Sequence, residues 1–228
     1  MTQLPEVIRQ IERVSPEVIT KAATFQAAIL ADVAGRRGTM HARVAPVHHS
    51  MKLAGPAFTV EVRPGDNLMI HAAIALAQPG DVLVIDGKGD QTAALMGTLM
   101  LSACKKIGLA GVIVDGAIRD KLELLELDFP VFSAGFNPAG PTKYIPGRIN
   151  HPINAGGTVV NPGDLIVADA DGVVVIERAK APAMMALADK KVADEAARSA
   201  AIARGDTGSA WLPAALRAAG VLKDGETL

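Results

Sequence analysis

The fold of this chain is decided by the stretch VLVIDGKGDQTAALMGTLMLSACKKIGLAGVIVD (82–115). Its two ends, VLVID (82–86) and GVIVD (111–115), are short apolar runs rich in β-branched residues, which is typical of buried strands. The glycine-rich GKGDQ between them predicts a turn, and the residues from about 91 to 107 predict a helix that ends at a glycine. Strands separated by a helix favour parallel pairing, with helices covering the faces of the sheet.

Further elements are predicted on both sides of this core. Two helices are expected at the N-terminus, over about residues 3–33, and Ala-rich helices over about residues 181–219. AFTVEV (57–62) alternates as a half-buried strand does, and PVFSA (130–134) is a short apolar strand. LIVADADGVVVI (165–176) predicts a β-hairpin with an Asp-Gly turn.

Composition limits the class of protein. The chain has 228 residues, a net charge of −1, 50% hydrophobic residues and only 3% aromatic ones, which indicates an α/β domain over residues 1–228 with an aliphatic core. Basic blocks and stacking aromatics are scarce, so a nucleic-acid partner is disfavoured. No apolar run approaches the roughly 18 residues that span a bilayer, and no signal-peptide segment is visible. We therefore expect a cytoplasmic protein with no membrane partner.

Several residues that could carry chemistry have a simpler interpretation. Cys104 is the only cysteine and lies in an apolar helical run, which favours a buried, unreactive thiol. His41, His48 and His49 share a polar loop, and adjacent residues rarely converge on one metal, so solvated histidines are expected. DGKGDQ (86–91) lacks the spacing of a phosphate-binding loop and is interpreted as a glycine-rich turn.

Arg119 and Asp120 are the most informative pair. They follow the apolar run that ends at Asp115, where a helix to about Glu126 is predicted to begin. One interpretation is a helix start, with Asp115 accepting turn amides and the pair solvated. The other is a ligand site, because ligands bind beyond the carboxyl ends of parallel strands, a guanidinium clamps carboxylates and a carboxylate holds hard cations. Gly97, inside the predicted helix, indicates a close approach of backbone to a ligand or another chain.

Three segments in this order, PGDNLMIHAAIALAQPGDVLVID (64–86), GLAGVIVDGAIRD (108–120) and NPGDLIVADADGVVVI (161–176), resemble a known family. They are similar to the 4-hydroxy-4-methyl-2-oxoglutarate / 4-carboxy-4-hydroxy-2-oxoadipate aldolases, whose superfamily includes the RraA-like regulators of ribonuclease activity. The resemblance spans roughly residues 20–205. It implies an α/β fold, a swivelling β/β/α sandwich with a C-terminal helical extension, and a homo-oligomer, trimer or hexamer, with active sites between subunits.

The resemblance also implies a chemistry and a set of residues. The substrate would be a small oxo acid, cleaved to pyruvate and a second oxo acid with Mg²⁺ or Mn²⁺ as cofactor, and oxaloacetate decarboxylation would be a side activity. Arg119 would bind the substrate carboxylate and keto oxygen, and Asp120 would ligate the metal. The other implied contacts to substrate are Gly97, Leu99, Met100, Asn67 and His71, and Glu195 of a neighbouring subunit would reach the surroundings of the metal. From the residues alone, His71 is equally compatible with a packed polar residue and with a pocket wall.

Thr98 departs from the family pattern. The aldolases have an acidic residue directly after the helix glycine, and a threonine can bond a metal-bound water but supplies no charge. Losing such a carboxylate typically lowers metal affinity or activity by about 10–100-fold. The alternatives are therefore a non-catalytic RraA-like protein that binds a ribonuclease, or a different lyase or hydrolase on the same scaffold.

Overall fold

The computed structural model describes residues 6–223 and 225–227. The helices are α1 (Pro16–Ala22), α2 (Ala27–Val33), α3 (Leu68–Leu76), α4 (Thr98–Ile107), α5 (Lys121–Glu126), α6 (Ala181–Ala203) and α7 (Leu212–Ala218). The strands are β1 (Ala45–Pro46), β2 (Leu53–Glu61), β3 (Val82–Met96), β4 (Gly111–Ile118), β5 (Val131–Phe136), β6 (Arg148–Ile149), β7 (Ile153–Ala155), β8 (Thr158–Val160), β9 (Leu165–Asp169) and β10 (Gly172–Ile176).

A mixed sheet with the strand order β1-β5-β4-β3-β2-β9-β10 organises the chain. Its centre, β2 to β5, is parallel, as the alternation of apolar runs and helices predicts. β9 and β10 form the predicted antiparallel hairpin, and β9 joins the parallel part through β2. All residues of β4 and the first six of β3 are buried, so these two strands divide the core into layers packed on either face.

β3 is longer than expected, and this corrects the prediction for residues 87–97. The chain does not turn at 87–91 and begin a helix there; it runs beside β4 to Met96, with register shifts after Asp86, Asp90 and Ala94. Positive φ angles at Lys88 and Gly89 accommodate the irregularity. Tertiary pairing therefore overrides the helical propensity of this segment, and Gly97 precedes α4 instead of lying inside it.

β4 also continues past the point where a turn was expected. Asp115 is a buried strand residue because Arg43 neutralises its carboxylate through two hydrogen bonds of 3.0 and 2.9 Å, and the Gly156 N–H donates a third of 2.7 Å. The expected helix start at Arg119 is wrong by two residues, since α5 begins at Lys121. Arg119 and Asp120 thus form the connection between strand and helix.

The N-terminal prediction is partly wrong. Residues 6–14 are not helical; residues 1–5 of the expected first helix lie outside the described residues. This segment lies against the sheet as a strap. The Ile8 N–H donates to the Ile149 carbonyl at 3.1 Å, and Arg13 forms an ion pair with the buried Asp81 through two hydrogen bonds. The second expected helix is divided into α1 and α2.

The chain forms two compact units, Met1–Asp189 and Lys190–Leu228. That they belong to a single domain stays a prediction. The first unit holds the whole sheet. In the second, the last part of α6 and the helix α7 follow the predicted Ala-rich pattern, and Arg198 donates to the carbonyls of Asp206 and Gly208. Among residues 6–223 and 225–227, no helix is long and apolar enough to cross a membrane.

Candidate active site

A cavity of about 330 Å³ opens where β3 and β4 end and α4 begins. Parallel strands place their carboxyl ends at one edge of the sheet, so Met96 and Arg119 meet although 23 positions separate them in sequence; the Arg119 N–H donates to the Met96 carbonyl at 3.0 Å. The cavity is lined by Asn67, His71, Ala94, Leu95, Met96, Gly97, Leu99, Met100, Arg119, Asp120, Gly140, Pro141 and Lys143.

Asp120 is held in a fixed orientation at the cavity wall. Its backbone is left-handed, with φ of 64°, a conformation that Asp tolerates better than most residues. Its Oδ2 accepts the Thr98 N–H at 2.8 Å, and its Oδ1 lies 3.7 Å from the Arg119 Nε. Both side chains remain partly exposed, 36% for Asp120 and 45% for Arg119. The pair therefore presents a guanidinium and a carboxylate to a ligand.

Gly97 leaves the space that this arrangement needs. An added Cβ would lie 3.0 Å from the Arg119 Cγ and 3.1 Å from its Nε, and it would overlap the Asp120 Oδ2. The backbone angles, φ −146° and ψ −172°, are ordinary extended values. Glycine is required here by the close approach of the two side chains and not by backbone conformation.

The connection between β5 and β6 forms another wall of the cavity. The buried Asp66 anchors it by accepting the hydroxyl of Thr142 at 2.7 Å and the N–H groups of Tyr144 and Ile145 at 2.8 and 3.2 Å. Burial raises the pKa of Asp66, but these bonds and the Leu68 N–H outweigh it, so the net pKa lies below the usual value. The ionised carboxylate is therefore the form that holds this wall.

Lys143 lies on that wall, and the sequence analysis missed it. Its backbone neighbours are fixed by Asp66, while its own side chain is exposed and lines the cavity. The only local signal was a lysine in the Gly- and Pro-rich segment GPTK (140–143), which is too common to indicate a site. Lys143 adds a second positive charge to the lining of the cavity, besides that of Arg119.

Asn67 and His71 lie at the start of α3. Asn67 is 2% exposed, and its Nδ2 donates to the Leu95 carbonyl at 2.9 Å. That bond fixes the orientation of the amide, and its Oδ1 is buried without a partner. His71 is exposed on the cavity side, so the pocket-wall interpretation of this residue is the correct one.

Leu99 and Met100 place the first turn of α4 at the cavity. The Met100 N–H bonds the Gly97 carbonyl at 3.1 Å, while Leu99 occupies a first-turn position where a helix has no acceptor of its own for the N–H. The positive end of the α4 dipole adds to the attraction for an anion.

The donors present fit a hydrated divalent cation. Asp120 offers a carboxylate, and beside it the Thr98 Oγ1 is a buried hydroxyl without a partner. Mg²⁺ is commonly held by one or two carboxylates together with waters and substrate oxygens. Within the described part of the chain, no three His, Cys, Asp or Glu residues gather into a metal cluster. Glu195 lies on α6 in the second unit, where Lys191 is 3.2 Å from its carboxylate.

The other candidates lie elsewhere. His48 and His49 are exposed, and the His48 Nδ1 pairs with Ser50 at 2.7 Å; His41 accepts the Arg43 N–H. Cys104 is buried, as predicted, and burial raises the pKa of its thiol to about 12. In 86–91, Lys88 is bound by the carboxylates of Asp86 and Glu61 and presents no phosphate site.

Comparison with known proteins finds relatives that are named as aldolases. The chain is 42% identical over 186 residues to a Halalkalibacterium halodurans protein named "Putative 4-hydroxy-4-methyl-2-oxoglutarate aldolase", covering 82% of this chain and 89% of that protein. A Burkholderia mallei protein of the same name is 38% identical over 128 residues, covering 56% of this chain and 77% of that protein.

Among solved structures, Streptomyces coelicolor RraAS2, described as an unusual member of the RNase ES inhibitor RraA protein family, superimposes with a TM-score of 0.75 at 29% identity, covering 83% of this chain and 99% of that one. The RNA-processing inhibitor RraA of Thermus thermophilus superimposes with a TM-score of 0.62 at 26% identity, covering 67% and 92%. The family model described as "RraA-like: Aldolase/RraA" matches residues 16–175. The expected fold is thus confirmed, and the chain belongs to the RraA-like family.

Proposed function

We propose that this protein is a divalent-metal-dependent aldolase that cleaves 4-hydroxy-2-oxo acids, such as 4-hydroxy-4-methyl-2-oxoglutarate or 4-carboxy-4-hydroxy-2-oxoadipate, to pyruvate and a second oxo acid. The observation that carries the proposal is one cavity in which Arg119 and Asp120 stand side by side, with Gly97 and the Thr98 N–H fixing the carboxylate. The names of the most similar sequences support the same reaction class.

Arg119 is the proposed anchor of the oxo acid. Its Nε faces Asp120, and the rest of the planar guanidinium is left to donate two parallel hydrogen bonds to a carboxylate. Lys143, which also lines the cavity, would attract the second carboxylate of a dicarboxylic substrate.

Asp120 would hold Mg²⁺ or Mn²⁺, and the Thr98 hydroxyl would bond water in the hydration shell of that ion. When bound, the cation supplies Lewis-acid polarisation of the 2-oxo group. The Thr98 N–H keeps the carboxylate from rotating, so its position does not depend on the ligand.

The bond that breaks joins C3 to C4. The 4-hydroxyl loses its proton and becomes the carbonyl of the second oxo acid, and the electron pair of the bond moves into a pyruvate enolate, which is then protonated at C3. Arg119 and the N-terminus of α4 face the developing negative charge, where preorganised donors contribute most to catalysis. Asn67 and His71 would contact the substrate from α3. Oxaloacetate decarboxylation would follow the same course, with carbon dioxide as the leaving group.

Assembly into a trimer or hexamer is part of the proposal. Leu99, at the cavity, is 87% exposed, and Tyr144, next to Lys143, is 80% exposed. Large exposed apolar side chains around a site are typical of surfaces that another chain covers. Glu195 of a neighbouring copy would then supply a further carboxylate near the metal. Light scattering of the purified protein measures the mass of the assembly.

A pyruvate-release assay tests the activity. Purified protein is supplied with a panel of 4-hydroxy-2-oxo acids and with oxaloacetate, in the presence of Mg²⁺. We expect Arg119→Ala to lose activity on every substrate, while Arg37→Ala, an exposed arginine away from this cavity, retains it. Unchanged turnover in Arg119→Ala would refute the proposed role of the cavity.

The second candidate is an RraA-like protein that binds a ribonuclease and has no turnover of its own. Two points favour it. Structures named as a member of the RNase ES inhibitor RraA family and as an RNA-processing inhibitor superimpose with TM-scores of 0.75 and 0.62, and Thr98 stands where the resemblance to the aldolases implies an acidic residue. Capture of ribonuclease E by the purified protein, together with no pyruvate release from the whole panel, would establish this alternative.

A further inference from the structure

We infer that the cavity binds its divalent cation and its oxo acid as a coupled pair, so that the cation binds weakly until the oxo acid is present. This rests on the proposed function and concerns the order in which its ligands assemble. It depends on a charge count within the cavity and on the consequence of having Thr98 in place of a carboxylate.

The cavity of the isolated chain is electropositive. Among its lining residues Arg119 and Lys143 are cations and Asp120 is the only carboxylate, which leaves a net charge of +1. His71 adds no negative charge in either protonation state. If a second copy contributes Glu195, the net charge falls only to zero. A dication therefore meets no net negative field, although opposite charge is what draws a hard cation to a protein site.

The protein ligands are also few. The Asp120 Oδ2 already accepts a hydrogen bond from the Thr98 N–H, and the side chain of Thr98 has only a neutral hydroxyl. A single partly exposed carboxylate would hold Mg²⁺ or Mn²⁺ only loosely, because most of the ion's ligands would remain exchangeable water.

A bound oxo acid would offset both the net positive charge of the cavity and its shortage of ligands for the cation. Its carboxylate would cancel the excess positive charge, and its oxygen atoms would offer the cation further hard donors. Conversely, the bound cation strengthens the site for the anion. By thermodynamic linkage the two enhancements are equal, so each ligand must tighten the other by the same factor.

The test is a direct binding measurement. The affinity of the full-length protein for Mn²⁺ is measured by electron paramagnetic resonance of the free ion, alone and with saturating pyruvate, the proposed product. We expect pyruvate to tighten Mn²⁺ binding by about 10-fold or more, within the usual range of coupling between ligands. Acetate has the charge but lacks the 2-oxo oxygen, so it should have a smaller effect. Calorimetric titration of pyruvate with and without Mn²⁺ must give the same factor.

Thr98→Asp identifies the cause. Thr98 borders the cavity through its N–H bond to Asp120, so the added carboxylate would place a negative charge beside that residue. Mn²⁺ should then bind about 10-fold more tightly without pyruvate, and the coupling factor should fall. Thr24→Asp adds the same charge at an exposed position outside the lining of the cavity and should leave both values unchanged. Thr98→Ser keeps the hydroxyl and should behave as the natural protein does.

The outcomes separate this inference from the proposed function. Tight Mn²⁺ binding that pyruvate does not change would overturn the coupling and leave a metal-dependent aldolase intact. Absence of Mn²⁺ binding at the site with pyruvate present would overturn the proposed function itself. Equal coupling in the natural protein and in Thr98→Asp would show that the charge at position 98 is not its cause.

Discussion

Gly97→Ala should separate catalysis from stability. The new Cβ would lie 3.0 Å from the Arg119 Cγ and 3.1 Å from its Nε, closer than ordinary contact, and it would overlap the Asp120 carboxylate. Restoring normal contact requires the carboxylate to move by about 1 Å. A misplacement of that size at a catalytic group costs about 100-fold in rate, equivalent to about 2.7 kcal/mol of transition-state stabilisation.

The fold should tolerate the same change. Alanine adopts the extended angles of Gly97 without strain, and the groups it displaces are side chains at the cavity surface. We therefore expect the midpoint of urea unfolding to change little, while kcat/KM for pyruvate release falls about 100-fold and Mn²⁺ binding weakens.

Gly35→Ala is the matched control. Gly35 has φ of 71° and open space around it, so alanine there should destabilise the protein by about 1 kcal/mol through backbone strain and leave kcat/KM intact. Full activity and normal Mn²⁺ binding in Gly97→Ala would refute the account of how Asp120 is held.

Further predictions concern other parts of the first unit. Asp66→Ala leaves the partly buried donors of the 142–145 segment without their acceptor and should lower the free energy of unfolding by about 1–3 kcal/mol, with faster hydrogen exchange at Tyr144 and Ile145 as the diagnostic; unchanged exchange would contradict the anchoring role. The folded pKa of Asp66 lies below its usual value, so the stabilisation that its ionised carboxylate provides is complete above the usual pKa of an aspartate and is lost as the pH falls through the folded pKa. Asp66→Asn should flatten this acid limb of the stability curve. Arg43→Met strands the buried Asp115 carboxylate and should cost about 3–5 kcal/mol, whereas Arg43→Met combined with Asp115→Leu should recover much of it in urea titrations; an additive loss would contradict the pairing. Cys104, with a pKa of about 12, should resist iodoacetamide at pH 8 until the protein is unfolded, and rapid labelling of the native protein would show that it is not buried.

The central sheet could be predicted from the sequence because its strands are marked locally. The runs at 82–86 and 111–115 are apolar and β-branched, and the Asp171-Gly172 turn between two apolar runs identifies the β9–β10 hairpin. Parallel pairing follows from the helix between strands, and it places strand ends together. That is why Arg119 and Asp120 could be connected with a site before any distance was known.

The errors arose where long-range contacts override local pattern. Residues 87–91 have the composition of a turn and residues 91–96 have helical propensity, yet backbone pairing with β4 extends β3 through both segments. An aspartate at the end of an apolar run, such as Asp115, is typical of a turn. Arg43, 72 positions away in the sequence, forms an ion pair with its carboxylate and allows Asp115 to stay within the strand. Residues 6–14 were expected to be helical, whereas Arg13 fixes them to Asp81 as an extended strap. Lys143 enters the cavity only because Asp66 binds its neighbours.

The most direct test of the central claim is pyruvate release from 4-hydroxy-4-methyl-2-oxoglutarate by chelator-treated protein as Mg²⁺ is added back. We expect no pyruvate release without the cation and recovery of turnover on titration with Mg²⁺. In Asp120→Ala we expect no recovery at any Mg²⁺ concentration. Turnover that is indifferent to chelator, or that survives in Asp120→Ala, would contradict a metal-dependent reaction at this cavity.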